Sequence, residues 1–263
     1  MSAYIGIGGV AKSISQMYIG VDDKAHQVQK AYIGVNGVAR LWYQRGGTLG
    51  SYDVGKTIKI AVDGKDYDWL VVHQGVPDAG IYDASCNGTW LLMKDIYTAL
   101  RFGNNNSYKN SNIHTYLNGT FYNLIDSNIR AAIKQVKIPY YNGPGSSGRL
   151  DTGSNGLSTK VFLLSGYEVG WTTSDDGYFP QDGAKLDYFG SGSAGNSKRV
   201  TNAGSAATTW WLRSPHVSND NYVWYVKSDG SFDYWYCNNV FAIRPCMILP
   251  QDLPVDDTGH VVV

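Results

Sequence analysis

Two apolar segments bracket the stretch that most constrains this chain. Trp210-Trp211-Leu212-Arg213-Ser214-Pro215 opens it and Ile243-Arg244-Pro245 closes it, each ending on a proline that stops a strand. Both ends therefore read as fixed scaffold. Between them, His216 to Phe241, the composition changes. Rings (Tyr222, Trp224, Tyr225, Phe232, Tyr234, Trp235, Tyr236, Phe241) alternate with short polar residues such as Ser218, Asn219, Asp220, Asn221, Asp233, Asn238 and Asn239. Rigid amphipathic rings mixed with adaptable polar side chains are the composition of binding loops. A buried strand pair is instead rich in Val, Ile and Leu. Tyr222–Val226 alternates, and Asp229-Gly230 is good hairpin-turn chemistry, so a surface β-hairpin is expected. It places Tyr234, Tyr236 and Asn238 on one face and Asp233, Trp235 and Cys237 on the other.

The remaining chemistry narrows the function classes. With 263 residues the chain can bury a real core, as one large domain or as a domain plus a small module. Its formal net charge is zero and only 17% of residues are charged, so it has no basic footprint for nucleic acid. No stretch is long and apolar enough for membrane insertion, and the first residues lack signal-peptide chemistry. The chain is expected to be made in a reducing cytoplasm. Abundant Gly (31) and Tyr (20) point to strands and turns rather than a helical bundle.

The first residues repeat. Tyr4-Ile-Gly-Ile-Gly-Gly-Val-Ala-Lys12 recurs as Tyr18–His26 and Tyr32–Arg40, with Gly8-Gly9, Asp22-Asp23 and Asn36-Gly37 as the turns. Each unit is a β-hairpin too small to hold a core, so residues 1–45 are expected to be a repeat module serving self-association or docking. A boundary is expected at Arg45–Gly50, with one domain from 46 to 263. There, Thr57–Val62, Tyr67–Val72, Trp90–Met93 and Val161–Leu164 read as strands, and Asp95–Phe102 as a short helix. A helix starting behind Ser111 buries Ile113, Tyr116 and Leu117 and breaks at Asn118-Gly119. A second runs from about Asp126 to Gln135, burying Ile129, Ala132 and Ile133. The irregular stretch Thr172–Ala207 is long enough to be functional or an ordered loop.

No catalytic constellation emerges. The five histidines are scattered, and no Gly-x-Ser-x-Gly elbow occurs. Cys86, Cys237 and Cys246 form an odd set without a C-x-x-C pair, against a disulfide framework or zinc site. Cys237 and Cys246 are close enough in sequence to approach each other, but a buried filler role fits Cys246 better. Glu168, the only glutamate, stands in apolar surroundings and predicts a buried ion pair with Arg213 or Arg244.

Trp210–Pro215, Trp224-Tyr-Val226, Ser228-Asp-Gly230 and Arg244-Pro245 resemble the C-type-lectin-fold domain common in gut bacteria and their phages. Leu91–Tyr97, Tyr116–Phe121, Ile133–Pro139 and Phe162–Trp171 match it too, so the likeness covers most of residues 46–250. The N-terminal repeats are similar to those preceding such domains in phage structural proteins. The resemblance implies an α+β C-type lectin fold of small twisted antiparallel sheets, two short helices and long loops. Members of this family include variable proteins of diversity-generating retroelements, in which mutagenesis at template adenines rewrites codons, usually Asn codons, in the C-terminal part of the fold. The products are Tyr, Asp, Ser, His, Phe or Cys, the types crowding His216–Phe241. Trp is not reachable from an Asn codon, so Trp224 is assigned to the scaffold and Trp235 stays in the variable set. The calcium-dependent sugar motifs of lectins, Glu-Pro-Asn and Trp-Asn-Asp, do not occur here, and no metal or cofactor is expected.

The expected function is non-enzymatic binding of a protein or glycan receptor on a target cell surface, in phage or bacterial attachment. The expected ligand surface comprises His216, Ser218, Asn219, Asp220, Asn221, Tyr222, Phe232, Asp233, Tyr234, Trp235, Tyr236, Asn238, Asn239 and Phe241. The expected location is a phage tail, or the host cytoplasm before assembly, with the bacterial cell surface as the alternative. Two other functions remain open: a formylglycine-generating-like oxidoreductase acting through Cys237 or Cys246, and an undiversified carbohydrate-binding module.

Overall fold

The structure is a computed structural model that describes residues 3–263 apart from positions 8–9, 15–16, 22, 29, 37, 45–46 and 257. The Gly8-Gly9 turn, Asp22, Gly37 and the Arg45-Gly46 start of the expected boundary lie outside the described residues. Ten strands form two five-stranded sheets. They are β1 (Thr57–Val62), β2 (Lys65–Gln74), β3 (Thr89–Met93), β4 (Thr98–Arg101), β5 (Val161–Phe162), β6 (Trp210–Pro215), β7 (Tyr222–Val226), β8 (Phe232–Tyr236), β9 (Val240–Ile243) and β10 (Cys246–Leu249). One sheet runs β5-β10-β3-β2-β1 and the other β4-β9-β6-β7-β8. Pairing is antiparallel except between β6 and β9, which run parallel at Trp210 and Ala242. This is a mixed α+β, strand-rich architecture with few short helices.

Local chemistry accounts for most elements. β1 and β2 are joined by Asp63-Gly64, both in the left-handed region that a two-residue hairpin turn demands. Ser111 caps the first helix, its Oγ accepting from the His114 N–H at 3.0 Å. Asp126 caps the second, Ser127–Ala132, through the N–H groups of Asn128 and Ile129. Ile129 and, just past the helix end, Ile133 are buried as expected and Ala132 is half-buried, but the helix stops at Ala132, short of the expected Gln135, because Ile133 turns extended.

Two expectations are corrected. The first helix does not break at Asn118-Gly119. It passes from Asn112–Tyr116 through a π-helical turn, Leu117–Phe121, to Tyr122–Leu124. Asn118 is the reason: its amide donates to the His114 and Val161 carbonyls and accepts from the N–H groups of Lys160 and Val161. A turn residue by composition is thus a bracket between helix and β5. Residues 95–102 are not helical; Thr98–Arg101 is the edge strand β4, paired with β9 from Thr98↔Ile243 to Arg101↔Val240. Tertiary pairing overrides a weak local helical preference.

A single hydrophobic cluster draws side chains from Leu49 to Val261. Trp69, Trp90, Trp171, Trp210, Trp211 and Trp224 are among its largest fully buried members. The expected core placement of Trp210, Trp211 and Leu212 is therefore observed. Before the two sheets, three separate antiparallel strand pairs are described, Ala3–Ile7 with Val10–Ile14, Tyr18–Val21 with Lys24–Gln27, and Lys30–Val35 with Val38–Gln44. Among the described residues no helix is long and apolar enough to cross a membrane.

Candidate ligand-binding surface

The candidate surface is one end of the β7–β8 hairpin, and its rigidity begins in a buried polar knot. Glu168 is fully buried and pairs with Arg213 of β6, Nη1 to Oε2 at 2.5 Å and Nη2 to Oε1 at 2.7 Å. The sequence left Arg213 and Arg244 open as partners; geometry selects Arg213. Tyr82 and the Ser165 N–H donate to the same carboxylate, at 2.7 and 2.9 Å. Burial opposes the Arg213 charge, but Glu168 beside it holds the guanidinium above its ordinary value. A second buried carboxylate, Asp182, accepts from the Ser214 hydroxyl. Burial pushes its carboxyl up to about 7, against the pull of Arg213. These contacts tie the segment after β5, the 180s loop and β6 into one unit.

On that base, long-range partners fix the loop between β6 and β7. The Asn106 amide donates to the carbonyls of Asn219 and Tyr222, both at 2.8 Å, and its oxygen accepts from the Gly145 N–H at 2.8 Å. The Asn106 N–H donates to the Asp220 carbonyl. Gly145 is in the left-handed region, and a Cβ there would overlap the Asp220 carboxylate. Asn106 is absent from the expected site because nothing in its local sequence announces partners more than a hundred residues away.

The hairpin itself has two faces. The register Tyr222↔Tyr236, Trp224↔Tyr234 and Val226↔Phe232 puts these six on one face; Val223, Tyr225, Asp233 and Trp235 occupy the other. The expected alternation of Tyr234 and Tyr236 against Asp233 and Trp235 is therefore observed. Loop 172–207 closes over much of the first face. Trp171 stacks on Phe179, Phe179 on Trp224 at 3.9 Å, Trp224 on His216 at 5.5 Å and His216 on Tyr178 at 4.5 Å, all within 28° of parallel. Arg199 ends the stack, 4.0 Å from the Trp171 ring centre, while its guanidinium donates to the carbonyls of Val169, Gly190 and Gly192. Gly230 in the hairpin turn is required by the same closure, because a Cβ there would overlap the Asn196 carbonyl.

The fourteen expected ligand residues consequently divide. His216 is buried rather than solvent-facing, held between Tyr178 and Trp224, and burial lowers its imidazole pKa. Phe232 and Tyr234 pack against the core from the first face, and Phe241 does so from the second, 4.5 Å from Trp211 and 4.7 Å from Tyr225. His216 is a correction to a wholly solvent-facing patch, while Phe232, Tyr234 and Phe241 are half-buried. The physical reason is the loop that carries Tyr178 and Phe179 over His216, Trp224 and Phe232. Ser218, Asp220, Asn221, Trp235, Tyr236 and Asn238 are exposed, with Asn219, Tyr222, Asp233 and Asn239 half-buried between them. A hydrogen bond with Tyr236, followed by burial, raises the Tyr222 phenol above its ordinary value. Phe241 also lines a recess of about 400 Å³ with Thr98, Ala99, Thr208 and Val240.

Tyr178 is the residue sequence reasoning missed. Its ring is 49% exposed, against 47% for both Trp235 and Tyr236, and these three are the exposed large aromatics among the described residues after position 45. Tyr178 and Tyr236 are linked through intervening rings, Tyr178–His216, His216–Tyr222 at 6.0 Å and Tyr222–Tyr236 at 4.8 Å, and Trp235, from the other face of the strand, lies 6.1 Å from Tyr236. Cys237 and Cys246 are both buried, free thiols, and burial raises both, Cys246 well above its ordinary value. A nucleophilic thiol needs the opposite environment.

Fold and surface together define a class: a strand-rich α+β domain that holds a ring-and-amide surface on a buried ionic base. The chain belongs to the family described as Domain of unknown function (DUF6273), whose model matches residues 87–251 and so includes Glu168, Arg213 and the whole candidate surface. No curated protein and no solved structure matches the chain.

Proposed function

We propose that the protein is a non-enzymatic receptor-binding protein with a C-type lectin fold, and that a retroelement diversifies the exposed positions of its β7–β8 hairpin for phage or bacterial attachment. The observation that carries this reading is the gathering of Tyr178, Trp235 and Tyr236 beside exposed Ser218, Asp220, Asn221 and Asn238. Exposed aromatic surface is costly in the free protein, and here it is concentrated rather than scattered. Fixed neighbours hold the rings in place, so binding loses little side-chain freedom. The target is a protein or glycan on a cell surface. The oxidoreductase alternative draws no support from the two buried thiols.

The test combines genome and binding. Beside the gene, a reverse transcriptase and an adenine-rich near-copy of codons 210–245 are expected. Mismatches should fall on codons of exposed residues such as Tyr236 and Asn238 and spare those of Trp210, Trp211 and Trp224. The full-length protein, fluorescently labelled, should bind intact cells of a host panel. The joint substitution Trp235→Ser and Tyr236→Ser should weaken that binding by roughly 30-fold or more, since aromatic hot spots contribute about 2 kcal/mol or more. Undiminished binding by the double variant would reject this surface.

A further inference from the structure

β8 is the last strand of its sheet, so one of its two edges has no neighbouring strand. Its pairing with β7 fixes which backbone groups point to that edge. The Lys227 N–H donates to the Ser231 carbonyl and the Cys237 N–H to the Asn221 carbonyl, both at 2.7 Å, one at each end of the hairpin. These two bonds set the phase of the ladder, in which Tyr225↔Asp233 and Val223↔Trp235 are the hydrogen-bonded pairs. Phe232, Tyr234 and Tyr236 alternate with them, so their N–H and C=O groups point away from β7. The protein itself occupies two of these groups. The Tyr234 N–H donates to the Asp233 carboxylate at 2.9 Å, and the Tyr236 carbonyl accepts from the Asn239 N–H at 3.0 Å. The Phe232 N–H and carbonyl, the Tyr234 carbonyl and the Tyr236 N–H have no hydrogen-bond partner among the described residues.

We infer that this edge takes an extended segment of a target protein as an added antiparallel strand, which rests on the ligand surface proposed above and makes its receptor a polypeptide rather than a glycan. The free groups recur at every second residue, about 7 Å apart, which is the repeat of a strand ladder. An antiparallel segment lays its own N–H and C=O groups against all four of them, whereas the hydroxyls of a sugar carry no such alternation. β8 also lacks the proline, lysine or bulge that guards an exposed edge. Side chains then select the segment. Asp233 and Trp235 share one face, and Asp233 has no ion-pair partner among the described residues. The segment residue opposite Asp233 is therefore Lys or Arg, and the one opposite Trp235, two positions nearer the N-terminus of the segment, is apolar or aromatic. A second copy of β8 fits poorly. Fully overlapped, it sets Tyr234 opposite Tyr234, where both N–H groups are already held by Asp233.

The probe is a display library of random dodecapeptides panned against the full-length protein, with an unrelated protein as control. Enriched peptides should share an apolar or aromatic residue followed two positions later by Lys or Arg. N-methylation walked along an enriched peptide should weaken binding by about tenfold or more at alternate residues and spare those between. In the complex, the Phe232 and Tyr236 amides should exchange with deuterium about tenfold or more slowly than in the free protein. Tyr236→Pro removes an outward N–H and no bond to β7, so it should fold as Tyr236→Ala does, by near-ultraviolet circular dichroism, yet bind the peptide more weakly. Three results would each overturn the proposal: no enrichment over the control, binding indifferent to N-methylation, or unprotected Phe232 and Tyr236 amides. If labelled protein still binds cells through Trp235 and Tyr236 after such a result, the attachment reading stands and the strand partner alone is lost. Peptide binding with these signatures upholds the edge even where no cell in the panel is bound.

Discussion

Replacing Glu168 by Gln probes the buried base on which the candidate surface stands. The carboxylate accepts from four donors: both terminal nitrogens of Arg213, the Tyr82 hydroxyl and the Ser165 N–H. Glutamine keeps the shape but turns one oxygen into an NH₂ group, which faces a donor and cannot accept. It also removes the charge that neutralises a fully buried guanidinium. Breaking one member of such a pair costs roughly 3–5 kcal/mol. For a domain of this size each kcal/mol shifts Tm by roughly 2–4 °C, so the expected loss is about 6–20 °C. Asp182 adds a signature. Ionised at pH 8, it is the remaining countercharge for Arg213, so the loss should be larger at pH 5 than at pH 8. Calorimetry of parent and variant at both pH values is the assay. A Tm within 2–3 °C of the parent, a shift worth about 1 kcal/mol, would refute the inference that this ion pair organises the domain.

Two further outcomes follow from the same geometry. Asp182 titrates near 7 in the folded chain and near the ordinary carboxylate value when unfolded. The native state therefore binds the extra proton between these values, and stability should fall as pH rises from about 4 to about 7, by roughly 4 kcal/mol in total, then level off. Asp182→Asn should flatten that slope in urea titrations; an unchanged slope would assign it elsewhere. Tyr234→Ser should behave unlike the exposed pair, because its ring lies 4.6 Å from His216 and 5.2 Å from Trp224. It should cost about 1–3 kcal/mol in denaturant melts, less than the roughly 3–5 kcal/mol of a fully buried ring, whereas Trp235→Ser with Tyr236→Ser should cost under about 1 kcal/mol.

The sequence by itself determined what depends on neighbours in the chain. Alternation and turn residues place β1, β2, β3, β7 and β8, because a strand's period and an Asp-Gly turn are local properties. Ser111 and Asp126 mark helix starts because a cap bonds only two or three residues ahead. A lone glutamate among apolar residues announces a buried cation, since an unpaired charge there is too costly to keep. Trp210, Trp211 and Leu212 announce core for the same reason of transfer energy.

Tertiary structure decided which partners those residues meet. Arg213 rather than Arg244 reaches Glu168, since Arg244 is spent on the Met93 and Lys94 carbonyls. Residues 98–101 became a strand because β9 offered a ladder. Tyr234 and Tyr236 are the same residue type on the same face of one strand, yet one packs on His216 and Trp224 and the other is exposed. What separates them is the buried pair His216 and Trp224 against Tyr234, held in turn by Tyr178 and Phe179, which a distant loop stacks on them. An aromatic ring carries equal apolar area wherever it stands in a sequence; only the loop that arrives over it decides whether that area is buried against protein or left open for a ligand.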